Sequence, residues 1–226
     1  MQLIHFPLCP YSRTARVLLH EFGIGASLAE EKPWAWRPEF LAVNPAGNLP
    51  VLLVDHMAIP GIYPITEYLI ESSTSDDENA PPDLMPEEAY PRAETRRMVD
   101  WFHGKFHQEV WSYIFFERVE NPFIHRGTPN PDAIRAATAN LRAHLGYLSR
   151  MLEERYWVGG DYITIADITA ASHLSCLDYL GDINWETVPI VKNWYARIKS
   201  RPSFRPLLLD TIPSIVPPAH YTDLDF

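Results

Sequence analysis

Cysteine is scarce in this sequence: only Cys9 and Cys176 occur in 226 residues, too few for a disulfide framework or a cysteine-based zinc module. No apolar run approaches the ~20 residues needed to span a bilayer. The opening, MQLIHFPLCP, lacks the charged n-region, apolar h-region and small-residue cleavage site of a secretory signal. A reduced, cytoplasmic protein is expected. Basic residues are also few, 19 Lys and Arg against 29 Asp and Glu, for a formal charge of −10. That balance argues against a general nucleic-acid or anionic-membrane surface, so neither nucleic acid nor membrane insertion is expected. There is no glycine-rich phosphate loop and no G-x-S-x-G elbow. The nine histidines are scattered, and His103 and His107 form their one i, i+4 pair. They read as helix-surface histidines, and no metal site is expected.

What is present is a core-forming composition, 46% hydrophobic and 12% aromatic, punctuated by 21 prolines. A short apolar strand, Gln2 to Phe6, is broken by Pro7 to Pro10 and followed by a helical pattern that ends at Gly23. A second strand fits near Ser27 to Glu31, then the loop KPWAWRPEF, a short helix around Glu39 to Val43, and strands at Val51 to Val54 and Met57 to Ile59. Ile65, Tyr68 and Leu69 then fall at helical spacing. The order β-α-β-α-β-β-α fits a small α/β domain over residues 1–75. The polar, acidic, Pro-ended stretch SSTSDDENAPPD reads as a linker, placed at 76–86. Residues 87–206 read helical throughout: one long pattern from Glu87 to about Arg118, others from Pro131 and Ile165, and a last one carrying Val191, Trp194, Tyr195 and Ile198. Residues 207–226 form a proline-rich, extended tail.

Cys9 stands at the mouth of the first helix, where free backbone N–H groups and the helix dipole favour a thiolate; it is either a nucleophile or a small residue tolerated in a loop. Cys176 lies on an apolar helical face and reads as core. Thr164 and Asp167 form an S/T-x-x-D box whose work is structural, satisfying backbone N–H groups at a helix start. Trp34 and Trp36, two residues apart in an extended segment, should point to opposite sides, with Trp36 outward beside Arg37. Tryptophan and arginine are the types most enriched at binding hot spots. In WSYIFFERVENPF, Trp111, Phe115 and Arg118 form one helical stripe, and Glu117, offset from it, is expected to be exposed. The tail finishes on alternating apolar and acidic residues, Tyr221, Asp223, Leu224, Asp225 and Phe226, which points to a segment that folds back or is read by a partner.

Four segments resemble the glutathione transferases. CPYSRTARVLLHEFGI resembles the first-helix signature, with Cys9 at the position of the activating serine, or of the reactive cysteine of the omega-like and beta-like branches. NPAGNLPVL is similar to the family's NPxGxVPVL. By that resemblance Pro50 is cis and mainly architectural, and Leu49 offers backbone groups to the cysteinyl part of glutathione. YWVGGDYITIADITAASHL and WYARIKSRPSF resemble two blocks of the helical domain. The implied architecture is α/β plus all-α: a thioredoxin-like domain with a four-stranded mixed sheet, followed by a helical-bundle domain. One position departs from the pattern. Where a working member carries the Glu-Ser pair that binds the γ-glutamyl group, alignment on Tyr68-Leu69 places Ile62-Tyr63, followed by Pro64. An apolar side chain and a bulky phenol replace a carboxylate and a small hydroxyl, so the glutathione site looks dismantled.

The lost pair, the tryptophan loop and the YTDLDF ending also resemble the glutathione-transferase-like division proteins of alphaproteobacteria that bind the tubulin-like protein FtsZ. That resemblance implies a non-catalytic, dimeric, cofactor-free adaptor on FtsZ polymers at midcell. The partner-facing candidates are Trp36, Arg37, Glu117, Arg118, Asp223, Asp225 and Phe226. The alternative is a glutathione-dependent thiol transferase or reductase with Cys9 as nucleophile and a site at Cys9, Leu49 and Pro50.

Overall fold

The computed structural model describes residues 1–73 and 83–224. Most of the expected linker, 76–86, and both Asp225 and Phe226 lie outside the described residues. Four strands form one mixed sheet in the order β2-β1-β3-β4: β1 (Gln2–His5), β2 (Ser27–Glu30), β3 (Val51–Val54) and β4 (Met57–Pro60). β1 runs parallel to β2 and antiparallel to β3, and β3 is antiparallel to β4. The two central strands carry the apolar runs, and Leu3, Val51 and Leu52 are fully buried; the edge strands β2 and β4 are mostly exposed. Helix α1 (Pro10–Glu21) begins on a proline, whose missing N–H costs nothing in the first turn, and ends before Gly23 at φ +65°. The short α2 (Pro38–Val43) follows the tryptophan loop, and α3 (Ile62–Ser73) follows β4.

The helical domain opens with α4 (Ala89–Asp100). In place of one regular helix to Arg118, the chain continues as wide turns over Trp101–Trp111, a single α-turn α5 (Ser112–Phe115), and wide turns again over Phe116–His125. The Ser112 N–H donates to the His107 carbonyl five residues back, the i→i+5 pattern of a π-helix. α6 (Pro131–Glu154) starts on Asn130, whose side chain accepts the Asp132 N–H at 2.9 Å.

The centre of this domain is α7 (Ile165–Leu180), buried from Ile165 through Tyr179. Its start is the capping box read from the sequence: the Thr164 hydroxyl accepts the Ala166 N–H at 3.2 Å and Asp167 accepts the Thr164 N–H at 3.0 Å. Asp167 does more than cap. Its carboxylate also takes the Val158 N–H at 2.7 Å and the Trp194 indole N–H at 2.9 Å, tying the preceding loop and α8 (Pro189–Lys199) to α7.

The two domains meet along α1 and α7. Arg13, fully buried, donates from Nε to the Pro7 carbonyl at 2.7 Å and from Nη1 to Ser175 Oγ at 2.8 Å, while Arg16 grips Asp210 with two bonds of 2.7 and 2.9 Å. Asp210 follows α9 (Arg205–Leu208), so the start of the tail is held by an ion pair with the first domain. The rest of the described tail folds back instead of extending. The Tyr221 ring is fully buried with its hydroxyl on the Leu207 carbonyl at 3.1 Å, and His220 Nε2 lies 2.9 Å from the buried Asp178. Its prolines leave it a single 3₁₀ turn at Ala219–Tyr221, and apolar burial of Tyr221 and its hydrogen bond fix the path.

Candidate functional site

Three of the four strands bring the chemistry-bearing residues to one end of the sheet. Ile4 lies opposite Val51, and Val51 opposite Pro60, so the end of β1, the start of β3 and the end of β4 are neighbours. Cys9 follows the first, Leu49-Pro50 precedes the second, and Ile62-Tyr63 follows the third. The Leu49–Pro50 peptide bond is cis, and the Pro50 carbonyl accepts the Gly61 N–H at 2.9 Å, pinning the start of α3 beside it. At that start Ile62 is buried in the core, while Tyr63, about half exposed, donates its hydroxyl to Asp100 at 3.3 Å. Neither side chain offers a carboxylate to an ammonium. The tyrosine hydroxyl is already turned towards the helical domain.

Cys9 is the N-cap residue of α1 and makes no capping bond with its side chain. The thiolate expected there is not favoured: burial pushes the thiol up, against weaker opposing contributions from Ser12, the Tyr11 N–H and the Arg13 charge. The helix end acts on the sulfur, but desolvation outweighs it. Cys176 is fully buried core, as its apolar surroundings suggested, with its thiol 3.6 Å from the Leu8 carbonyl.

The tryptophan loop divides inside from outside. Trp34 packs edge-on to Phe6 with ring centroids 4.9 Å apart and tilts over Phe115 at 6.2 Å, and Phe115 in turn leans on Trp111 at 5.2 Å. This aromatic run crosses from one domain to the other and borders a cavity of about 540 Å³ between Trp34, Val119, Ile124 and Ile215. Trp36 is 64% exposed. The split arises from a 3₁₀ turn at Pro33–Ala35 with Trp36 in the left-handed region at φ +48°, and not from an extended segment. Gly47, also at positive φ, lies under the Trp36 ring; a Cβ there would stand 3.1 Å from it, so the glycine makes room for the indole.

Models of the glutathione S-transferase N-terminal and C-terminal domains match residues 8–72 and 131–197. Over 228 residues the chain is 39% identical to FtsZ-localized protein A of Caulobacter vibrioides, covering 99% of this chain and 97% of that protein. The chain belongs to the glutathione S-transferase family. The solved structure of FzlA from C. crescentus matches with a TM-score of 0.93 at 39% identity, covering 100% of this chain and 99% of that one. A glutathione S-transferase from Sinorhizobium meliloti 1021 matches with 0.94 at 41% identity, over 100% and 99% of the two chains.

On this glutathione S-transferase fold the remaining candidates are differently placed. Arg37 is exposed and bonded to the buried Glu31 carboxylate at 2.7 Å, which holds that carboxyl below its usual range. Arg118 leaves the stripe it was expected to share with Trp111 and Phe115; it pairs with Asp182 at 3.0 Å and reaches the Leu180 carbonyl at 3.1 Å. Glu117 is buried, not exposed: its carboxylate accepts the Asn130 N–H at 2.7 Å and holds the loop before α6. Glu117 falls on the buried line of Phe106, Val110 and Ile114, at i, i+4, i+8 and i+11, beside the Trp111–Phe115 stripe, and its carboxylate is accommodated there by the Asn130 N–H. His103 and His107 lie on or beside the same buried line and face inward. His103 is buried and His107 half-buried, both tilted against the Tyr11 ring, in place of the surface positions expected. Asp223 is exposed near the end of the described tail. Among the described residues no group of three or more His, Cys, Asp or Glu could hold a metal ion, and no helix is long and apolar enough to cross a membrane.

Proposed function

We propose that this chain is a non-catalytic adaptor of the glutathione S-transferase family that binds FtsZ polymers as a homodimer at the division site in the cytoplasm and promotes constriction. The observation that carries the reading is the start of α3. Where the family resemblance calls for a carboxylate and a small hydroxyl, Ile62 is part of the core and Tyr63 is bonded to Asp100. A charged ligand group left without partners there would cost roughly 1–3 kcal/mol or more. The partner is supplied by the similarity to FtsZ-localized protein A along the whole chain. A two-fold dimer would present one patch twice, and two sites on one polymer raise avidity through effective concentration.

With a formal charge of −10, the protein gains little from net charge against an acidic polymer. Arg37 and Arg118 are each paired with a carboxylate, which moves the weight of recognition onto the exposed Trp36. Glu117 acts in this reading by holding the loop at Asn130, and Asp223 with Asp225 and Phe226 supplies the tail's contribution. The second reading, a thiol transferase using Cys9, Leu49 and Pro50, needs a thiolate that burial disfavours. The test is sedimentation with FtsZ polymers assembled in GTP. Saturable transfer of the protein into the polymer pellet is expected; a protein that stays in the supernatant while the polymers pellet would overturn the proposal.

A further inference from the structure

The junction of the two domains contains a cluster of three imidazoles that the adaptor reading does not use: His173 lies 5.2 Å from His103, tilted, and 6.1 Å from His107, edge-on. His103 Nδ1 lies 3.0 Å from His173 Nε2, so the neutral pair shares one N–H between two facing nitrogens. The Tyr11 ring, from the first turn of α1, sits 4.9 Å from the His103 ring, 4.8 Å from His107 and 5.7 Å from His173, and its hydroxyl donates to the His103 carbonyl at 2.7 Å. His103 Nε2, His107 Nδ1 and His173 Nδ1 are buried without a hydrogen-bond partner among the described residues.

Among the described residues, the groups facing this cluster supply no compensating negative charge in contact with a ring. α1 presents Tyr11 and Cys9, and α3 presents Tyr63, whose ring is 5.6 Å from His103. The end of α4 presents Asp100, engaged by the Tyr63 hydroxyl. α7 contributes His173 and Ser172, and α6 contributes His144, which is bonded to Glu109 and the Trp101 indole and reaches the cluster only across Phe106. We infer that His103, His107 and His173 form an acid-sensitive latch, whose protonation parts α1 and α3 from the helical domain while that domain stays folded.

The sign follows from which state takes up protons. Burial lowers His103 to about 3 and His107 to about 4, and holds His173 well below the ordinary value, so the docked state stays neutral. Once parted from α1 and α3, His107 titrates near the ordinary pKa of about 6.5, while His103 and His173, which stay 3.0 Å apart inside the helical domain, take up one proton between them. Opening is then favoured roughly tenfold per proton taken up for each pH unit below that value, about a hundredfold for the two protons between about pH 7.5 and 5.5.

Amide hydrogen exchange on the full chain, corrected for intrinsic rates, reads this directly. Protection of α1 should fall about a hundredfold over that range while α8, which packs on α6 and α7, keeps its protection. In His107→Gln, a change at the half-buried ring, the fall should shrink to about tenfold, and the exposed control His56→Gln should leave it unchanged. Protection of α1 that is independent of pH, loss in step with α8, or a slope unaltered by His107→Gln would each overturn the latch.

Discussion

Asp167→Ala lowers the unfolding free energy by about 4 kcal/mol, read as a lower urea midpoint at unchanged m value. The carboxylate is fully buried and accepts the N–H groups of Val158, Thr164 and Trp194, a loop, a helix cap and a neighbouring helix. Alanine removes the acceptor and leaves those donors buried; each orphan costs roughly 1–3 kcal/mol, less whatever water can reach. Thr164→Ala removes only the cap hydroxyl, with a loss of about 1 kcal/mol. A deficit for Asp167→Ala no larger than that of Thr164→Ala would mean that the residue merely caps α7.

Trp36→Ala weakens binding to FtsZ polymers at least ~30-fold, the equivalent of ~2 kcal/mol for a hot-spot tryptophan, while changing stability little. The indole is 64% exposed, so its removal takes little from the core. What it does lose is the cover over Gly47, whose positive φ leaves the loop geometry intact without the ring. Arg37→Ala should act more weakly on binding, because the guanidinium is already committed to Glu31. Sedimentation with assembled polymers over a range of protein concentrations measures both variants. Pelleting of Trp36→Ala indistinguishable from the unsubstituted protein would remove the tryptophan loop from the interface.

Much of the fold was written locally. The alternation of short apolar runs with Pro and Gly breaks placed β1, α1, β3, β4 and α3, and the Thr164-Asp167 spacing marked the start of α7. The prolines around Trp34 and Trp36 announced an irregular loop with one ring in and one out, although the turn itself is 3₁₀. The errors share a physical origin in what a single periodicity cannot encode. Across the wide turns over Trp101–Trp111 and Phe116–His125, His103 and Glu117 lie on the buried line of Phe106, Val110 and Ile114, where distant partners, His173 and Asn130, make room for a polar side chain. Those turns left no mark beyond an ordinary apolar spacing. The tail's path depends on partners far away in sequence, Tyr221 with Leu207 and His220 with Asp178, and no local pattern reports such pairs. At Cys9 the position at a helix mouth was legible, but the burial that outweighs the helix end was not.

The central claim is that this glutathione S-transferase fold has lost its glutathione site and kept its surface for a protein partner. Calorimetric titration of the purified protein with reduced glutathione at millimolar concentration tests it most directly. The account predicts no saturable heat, because Ile62 and Tyr63 supply neither the carboxylate nor the free small hydroxyl that the ligand's γ-glutamyl group requires. Saturable binding would contradict it, and would return Cys9, Leu49 and Pro50 to the centre of the function.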